Sequence, residues 1–203
     1  GWDAGTSIAV DASGNVYTTG YFEDTVDFDP GVGVSNLFSN YGEGNYYIQK
    51  LDVNGNFQWV KQIALIPGGP PVADEYLTEI TVDASGNVYT TGWFRDTVDF
   101  NPGAGVSNLT SNGGSDIFIQ KLDANGSFLW VKQIGGVSND YGNSITVDAS
   151  GNLYSFGTFH DTVDFDPGSG VSNLISSGVQ EIFIQKLDAN GNFLWVKQMV
   201  GGG

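Results

Sequence analysis

Apolar and polar residues alternate along this chain in short runs, each closed by a turn rich in Asp, Gly and Asn. The run SITVD, from Ser144, alternates small polar with apolar side chains and leads into the turn DASGN. There the Asp148 carboxylate caps the turn and Gly151 supplies a positive φ. The following run, NLYSFGTF, sets Tyr154, Phe156 and Thr158 on one side. DIFIQKLD, from Asp116, and FLWVKQI, from Phe128, have the same two-residue period. A second turn of the form DANGN separates the third run from the fourth. Period two over seven or eight residues predicts strands. No stretch shows a sustained 3.6-residue period with caps, so no helix is expected.

The whole pattern is written three times. VDASGNVYTTGYF starts at Val10, VDASGNVYTTGWF at Val82 and VDASGNLYSFGTF at Val147. Between Ile80–Ile134 and Ile145–Met199, 55 aligned positions contain 14 differences, leaving 55 − 14 = 41 identities. Corresponding aspartates Asp11, Asp83 and Asp148 lie 83 − 11 = 72 and 148 − 83 = 65 residues apart. Most of the extra length falls in the linker IALIPGGPPVADEYLTEI, which replaces IGGVSNDYGNSI, so Pro67–Glu75 is expected to be a surface loop.

Two Asp-Gly-Asn hairpins per copy make four antiparallel strands, and four-stranded units repeated along a chain are the sequence form of β-propeller blades. VDASGNVYTTG, IQKLDANG and the trailing Trp strand resemble the SBBP (seven-bladed β-propeller) repeats of bacterial surface proteins, with NHL-like blades. The resemblance implies an all-β fold of three tandem four-stranded antiparallel blades, over residues 1–65, 66–136 and 137–203. It implies that SITVD is innermost and FLWVKQI outermost, with complete blades in phase at Thr6–Gln62, Thr78–Gln133 and Asn143–Gln198. The insert DTVDFDPGVGVSNL and its counterparts depart from a short SBBP repeat, and form either a protruding hairpin or longer middle strands. Three blades fall short of the four to eight of a closed propeller. Exposed blade faces then call for a homo-oligomer that closes a ring or extends an array, or for further blades of a longer chain.

Composition narrows the partners. The 203 residues carry 23 acidic and 7 basic side chains, a net charge of −16. That excess argues against nucleic acid and against anionic membrane surfaces, and admits cations, Ca²⁺ above all. With no cysteine there is no disulfide scaffold and no thiol chemistry. No apolar run reaches the length of a membrane span. Gly1 opens the chain without Met or signal peptide, as expected of a processed form or a fragment. Together these features suit a secreted or surface-displayed bacterial protein.

Two sets of residues carry candidate chemistry. In DFDPG, Asp27 and Asp29 lie two apart, with Asp24 three residues upstream of Asp27; Asp164 and Asp166, with Asp161, repeat this. In the middle copy Asp99 pairs with Asn101, and Asp96 precedes them. Clustered carboxylates of this kind suit calcium, and Asp before Pro-Gly equally suits turn capping. The second set is the positions that vary between otherwise near-identical copies: Tyr21, Trp93 and Thr158, then Glu23, Arg95 and His160. Tyr21, Trp93 and Arg95 form a candidate blade-end site for a glycan or protein ligand. The repeated tryptophans Trp59, Trp130 and Trp195 are expected in the core between blades, whereas Trp2 is unrepeated. The lysines Lys50, Lys121 and Lys186, and Lys61, Lys132 and Lys197, form ladders on strands. His160 stands alone, without a second histidine or a GxSxG motif, and no cofactor is called for. The expectation is a non-catalytic structural or adhesive module, with a ligand-binding module as the alternative.

Overall fold

The structure, a computed structural model, describes residues 1, 3–39, 45–65 and 76–201. Among them every regular element is a strand. Blade 1 contains β1 (Ala4–Val10), β2 (Val16–Phe22), β3 (Thr25–Asp27), β4 (Asn36–Phe38), β5 (Asn45–Leu51) and β6 (Phe57–Leu65). Blade 2 contains β7 (Tyr76–Val82), β8 (Val88–Phe94), β9 (Thr97–Asp99), β10 (Asn108–Thr110), β11 (Asp116–Leu122) and β12 (Phe128–Ile134). Blade 3 contains β13 (Tyr141–Val147), β14 (Leu153–Phe159), β15 (Thr162–Asp164), β16 (Asn173–Ile175), β17 (Glu181–Leu187) and β18 (Phe193–Met199). Each blade is a meander, β1-β2-β5-β6 in the first, with all pairings antiparallel. Trp2 and the Pro67–Glu75 stretch lie outside the described residues.

The insert takes the hairpin form: β3–β4, β9–β10 and β15–β16 each pair apart from the main ladder of their own blade. The middle one also bridges blades. Ala64 of β6 pairs with Asp99 and Leu65 with Val98, so blade 1 and the hairpin of blade 2 share one six-stranded sheet.

Turn chemistry explains the hairpins that define the blades. Asp11 Oδ1 accepts from the backbone N–H groups of Ser13 and Asn15, each at 2.9 Å, while Oδ2 accepts from Asn15 Nδ2 and the Tyr17 hydroxyl. Asp83 and Asp148 repeat all four bonds. The glycine each turn needs stands at a φ near +80°, as at Gly14 and Gly151.

The cores lie between blades rather than within them. One cluster joins Tyr17, Ile48 and Ile63 of blade 1 to Ile80, Phe94 and Phe118 of blade 2. The other joins Tyr89, Ile119 and Ile134 of blade 2 to Ile145, Phe159 and Phe183 of blade 3. Polar contacts follow the same rule. A β-bulge in the innermost strand re-aims Thr6, whose Oγ1 donates to Leu77 O of the next blade at 2.9 Å. Thr78, at the equivalent bulge, donates to Gly142 O at 2.8 Å. Lys50 Nζ and Trp59 Nε1 both donate to Ala124 O in the second turn of blade 2, and Lys121 Nζ donates to Ala189 O of blade 3.

Among the described residues, the equivalent positions on the two end faces are exposed. Ile8 of blade 1 is 65% exposed where its counterparts Ile80 and Ile145 are 3% and 4%. On blade 3, Ile182 and Met199 are 37% and 41% exposed where Ile117 and Ile134 of blade 2 are 0% and 1%. Trp195 is on this open face, whereas Trp59 and Trp130 abut the following blade. Lys186, at the position from which Lys50 and Lys121 reach across, lies over the Tyr154 ring and 3.8 Å from Asp148 Oδ2.

Candidate functional site

The paired DFDPG side chains are committed to the backbone. Asp27 Oδ1 accepts from Asp29 N at 3.0 Å and Ser35 N at 2.8 Å, and Asp29 Oδ1 accepts from Gly31 N at 2.7 Å. Asp99 and Asn101, and Asp164 and Asp166, repeat these bonds. Asn101 makes the bond of Asp29 and Asp166 without a charge, so the second position requires an acceptor and not a carboxylate. Asp24, Asp96 and Asp161 hold φ between 58° and 61°, a left-handed conformation that Asp tolerates better than most residues. Among the described residues, no group of three or more His, Cys, Asp or Glu side chains is placed to hold a metal ion.

This geometry separates the two positions experimentally. Asp166→Asn should leave stability within about 0.5 kcal/mol, whereas Asp164→Ala, which strands two backbone donors, should cost about 1–2 kcal/mol in urea unfolding. The melting temperature should be the same in Ca²⁺ and in chelator. A rise with Ca²⁺ would return calcium to these loops.

The variable blade-end residues do not line one cleft. Tyr21 packs edge-on to Tyr46, its ring centroid 5.9 Å away, donates to Glu23 Oε1, and borders a groove with Asp3, Gly5 and Tyr47. Arg95 instead leans on the linker between blades 2 and 3, and Trp93 on the head of β13 beside it. The Trp93 ring stands edge-on to Tyr141 at 5.1 Å, and Arg95 Nη2 donates to Asn139 Oδ1 at 3.2 Å.

That linker is where the unrepeated chemistry gathers, and the sequence pattern did not single it out. Its signal was the Gly135-Gly136 pair followed by an unrepeated SNDYG. Asp140 is fully buried; its Oδ2 accepts from Gly136 N at 2.8 Å and its Oδ1 from His160 N at 2.9 Å. Burial pushes the Asp140 carboxyl up to about 6; the two backbone bonds oppose this, and the nearby Asp116 charge adds to it. Asp116 is itself buried and raised by burial; its Oδ2 accepts from Asn112 and Gln133, while its Oδ1 has no hydrogen-bond partner. Gly135 and Gly136 let the chain through: a Cβ on Gly135 would lie 2.3 Å from the Asp116 carboxyl carbon, and one on Gly136 2.5 Å from Thr162 O.

Beside this buried pair lies a cleft of about 540 Å³ lined by Val137, Ser138, Asn139, Tyr141, His160 and Gln180, with Gly114 at its edge. Ser138 Oγ donates to Asp161 Oδ2 at 2.5 Å, and His160 Nδ1 lies 3.2 Å from the same oxygen. Ser, His and Asp therefore meet, but the hydroxyl proton is given to the carboxylate. A nucleophilic serine would need it on the imidazole.

Comparison with known proteins bears on the scaffold. Residues 129–158 match the family model described as SBBP, beta-propeller repeat. The matched segment runs from β12 of one blade through the linker to β14 of the next, so the SBBP unit is out of phase with the structural blade. A further match is an uncharacterized WD repeat-containing protein of Acanthamoeba polyphaga mimivirus, 28% identical, covering 62% of this chain and 11% of that protein. The chain thus spans about a tenth of the length of the curated relative it matches. A crystal structure of a protein of unknown function from Bacteroides caccae aligns over 97% of this chain and 82% of its own, with 12% identity and a TM-score of 0.33. The blade architecture rests on the chain's own strand pairing.

Proposed function

We propose that this propeller-repeat chain is a non-catalytic structural module whose two open faces each dock a further blade, from another copy or from a longer chain, and that it serves outside the cell. The observation that carries this is the repetition of one interface. Residues that bury Ile80 and Ile145 from one side, and Ile117 and Ile134 from the other, recur at the ends with Ile8, Ile182 and Met199 uncovered. The exposed head of blade 1 and the exposed tail of blade 3 are the two halves of a contact the chain already makes twice. Such a contact is heterologous, so it closes a ring or grows an array. The net charge of −16 and the absence of cysteine support the extracellular part of the reading.

Complementation tests it. The parent chain should associate beyond its 21.6 kDa monomer mass as concentration rises. Ile8→Asp, which disables the head, and Ile182→Asp, which disables the tail, should each abolish this. An equimolar mixture of the two variants retains one working head and one working tail, and should give a dimer that grows no further. A parent chain that stays monomeric at hundreds of micromolar, or a mixture that stays monomeric, overturns docking between copies.

A further inference from the structure

We propose that the cleft between blades 2 and 3 binds a neutral saccharide, with Tyr141 as the stacking platform and Asn139, His160 and Gln180 as hydrogen-bonding groups. The inference goes beyond the scaffold role and does not depend on how the end faces are covered.

The cleft holds chemistry that the scaffold leaves unspent. Asn139 Oδ1 accepts from Ser115 N at 2.9 Å and from Arg95 Nη2, which fixes the amide and leaves Nδ2 to donate. His160 turns Nδ1 to Asp161, so Nε2 remains as its second polar atom. The Tyr141 hydroxyl and the Gln180 amide make no hydrogen bond within the described residues, and Gln180 is exposed. Three groups able to donate or accept thus border one half-buried aromatic ring that carries its own hydroxyl, with the Trp93 ring packed against it.

The ligand class follows from these groups. Amides, a phenol and an imidazole recognise hydroxyls. The cleft wall supplies one apolar side chain, Val137, too little for a hydrophobic ligand. A chain of charge −16, with the Asp161 carboxylate alongside, disfavours anions. The volume lies within the roughly 300–1,000 Å³ of small-ligand sites and admits one or two sugar rings.

The floor is rigid, as a binding site requires. The buried Asp140 carboxylate joins the Gly136 end of the linker to the His160 end of the neighbouring strand, so Asn139 lies within a loop closed at both ends and Tyr141 follows at the head of β13.

Titration of the ¹⁵N-labelled chain with glucose, galactose, mannose and N-acetylglucosamine, each to about 10 mM, suits the millimolar affinities of single sugars. At least one sugar should shift the amide signals of Gly114, Asn139, Tyr141, His160 and Gln180. Tyr141→Ala should weaken that binding at least tenfold. Gln180→Ala, at an exposed position where folding is not at stake, should weaken it about fivefold, the value of one hydrogen bond. A parent chain with no shifts from any of the four sugars overturns the proposal. So do shifts elsewhere that survive both substitutions, or a cleft that answers only to peptides.

Discussion

Phe165→Ala should remove about 3–5 kcal/mol of stability, the range for deleting a fully buried aromatic ring. For a chain of this size that is a fall in melting temperature of roughly 6–20 °C. Phe165 lies between the two aspartates of the third DFDPG motif and is completely buried. Its ring meets Phe159 edge-on at 5.4 Å and Phe183 at 4.8 Å. Its carbonyl accepts from Gln185 Nε2, and its amide donates to Ser172 O at 3.1 Å. One residue therefore ties the inserted hairpin to the main ladder through its ring and its carbonyl, while its amide closes the hairpin itself. Phe100 has the same surroundings in blade 2 and should be equally sensitive. Phe28→Ala should cost less, because Phe28 is 8% exposed where Phe100 and Phe165 are 1% and 0%. Calorimetry of the three variants checks the order. A Phe165→Ala protein melting within about 2 °C of the parent would mean the hairpin is not anchored through this ring.

The motif shows where sequence reading stopped. DFDPG draws attention to its carboxylates, which can be seen in a sequence, while the phenylalanine between them reads as one more apolar residue. Strands and turns were legible because their causes are local: a two-residue period, and an Asp and a Gly at fixed offsets in DASGN. The helix-free, four-stranded blades followed directly. What the local pattern could not give is which face meets a neighbour. Tyr154, Phe156 and Thr158 do share one side of β14, as the alternation implies, but that side is the open end face, whereas the equivalent Tyr89 and Thr91 of blade 2 are buried. The difference lies in the next blade, not in the strand.

The buried acids were hidden for a related reason. Asn45, Asp116 and Glu181 open the third strand of each blade and are all at most 2% exposed. By composition they are surface residues. The two acids are inside because they cap loops: Glu181 accepts from Ser177 and Gln198, and Asp116 from Asn112 and Gln133. The candidate site was half legible. Variation between copies pointed to Trp93 and Arg95, and the structure places both against the linker cleft. Tyr21 belongs to another groove, since positions equivalent in sequence lie one blade apart in space.

Stability should peak near pH 4–5 and decline toward neutrality, and Asp140 should be the main cause. Its carboxyl rises from 3.8 to about 6 on folding because burial disfavours the charge. Between those values the folded chain holds a proton that the unfolded chain has released, so stability falls as pH rises through this window and levels off above it. A shift of about two units corresponds to about 3 kcal/mol. Asp116, also raised by burial, acts in the same direction. Below about pH 4 the sign reverses. The carboxyl of Asp27 is lowered by the Ser35 and Asp29 amides, that of Asp52 by Asn56, and that of Glu181 by Ser177 and Gln198, so protonating them forfeits those bonds. Self-repulsion of a chain at −16 also eases on mild acidification. Salt separates the two effects: about 0.5 M screens surface charges and leaves the buried carboxyl untouched. The parent should therefore still melt higher at pH 5 than at pH 7.5 in high salt. Asp140→Asn cannot titrate, and its amide nitrogen faces one of the two backbone donors, so it should be less stable than the parent at pH 5 and nearly flat from there to pH 7.5. A parent curve that rises from pH 5 to pH 7.5 in high salt would show that Asp140 folds as an ordinary carboxylate and that burial does not govern the linker.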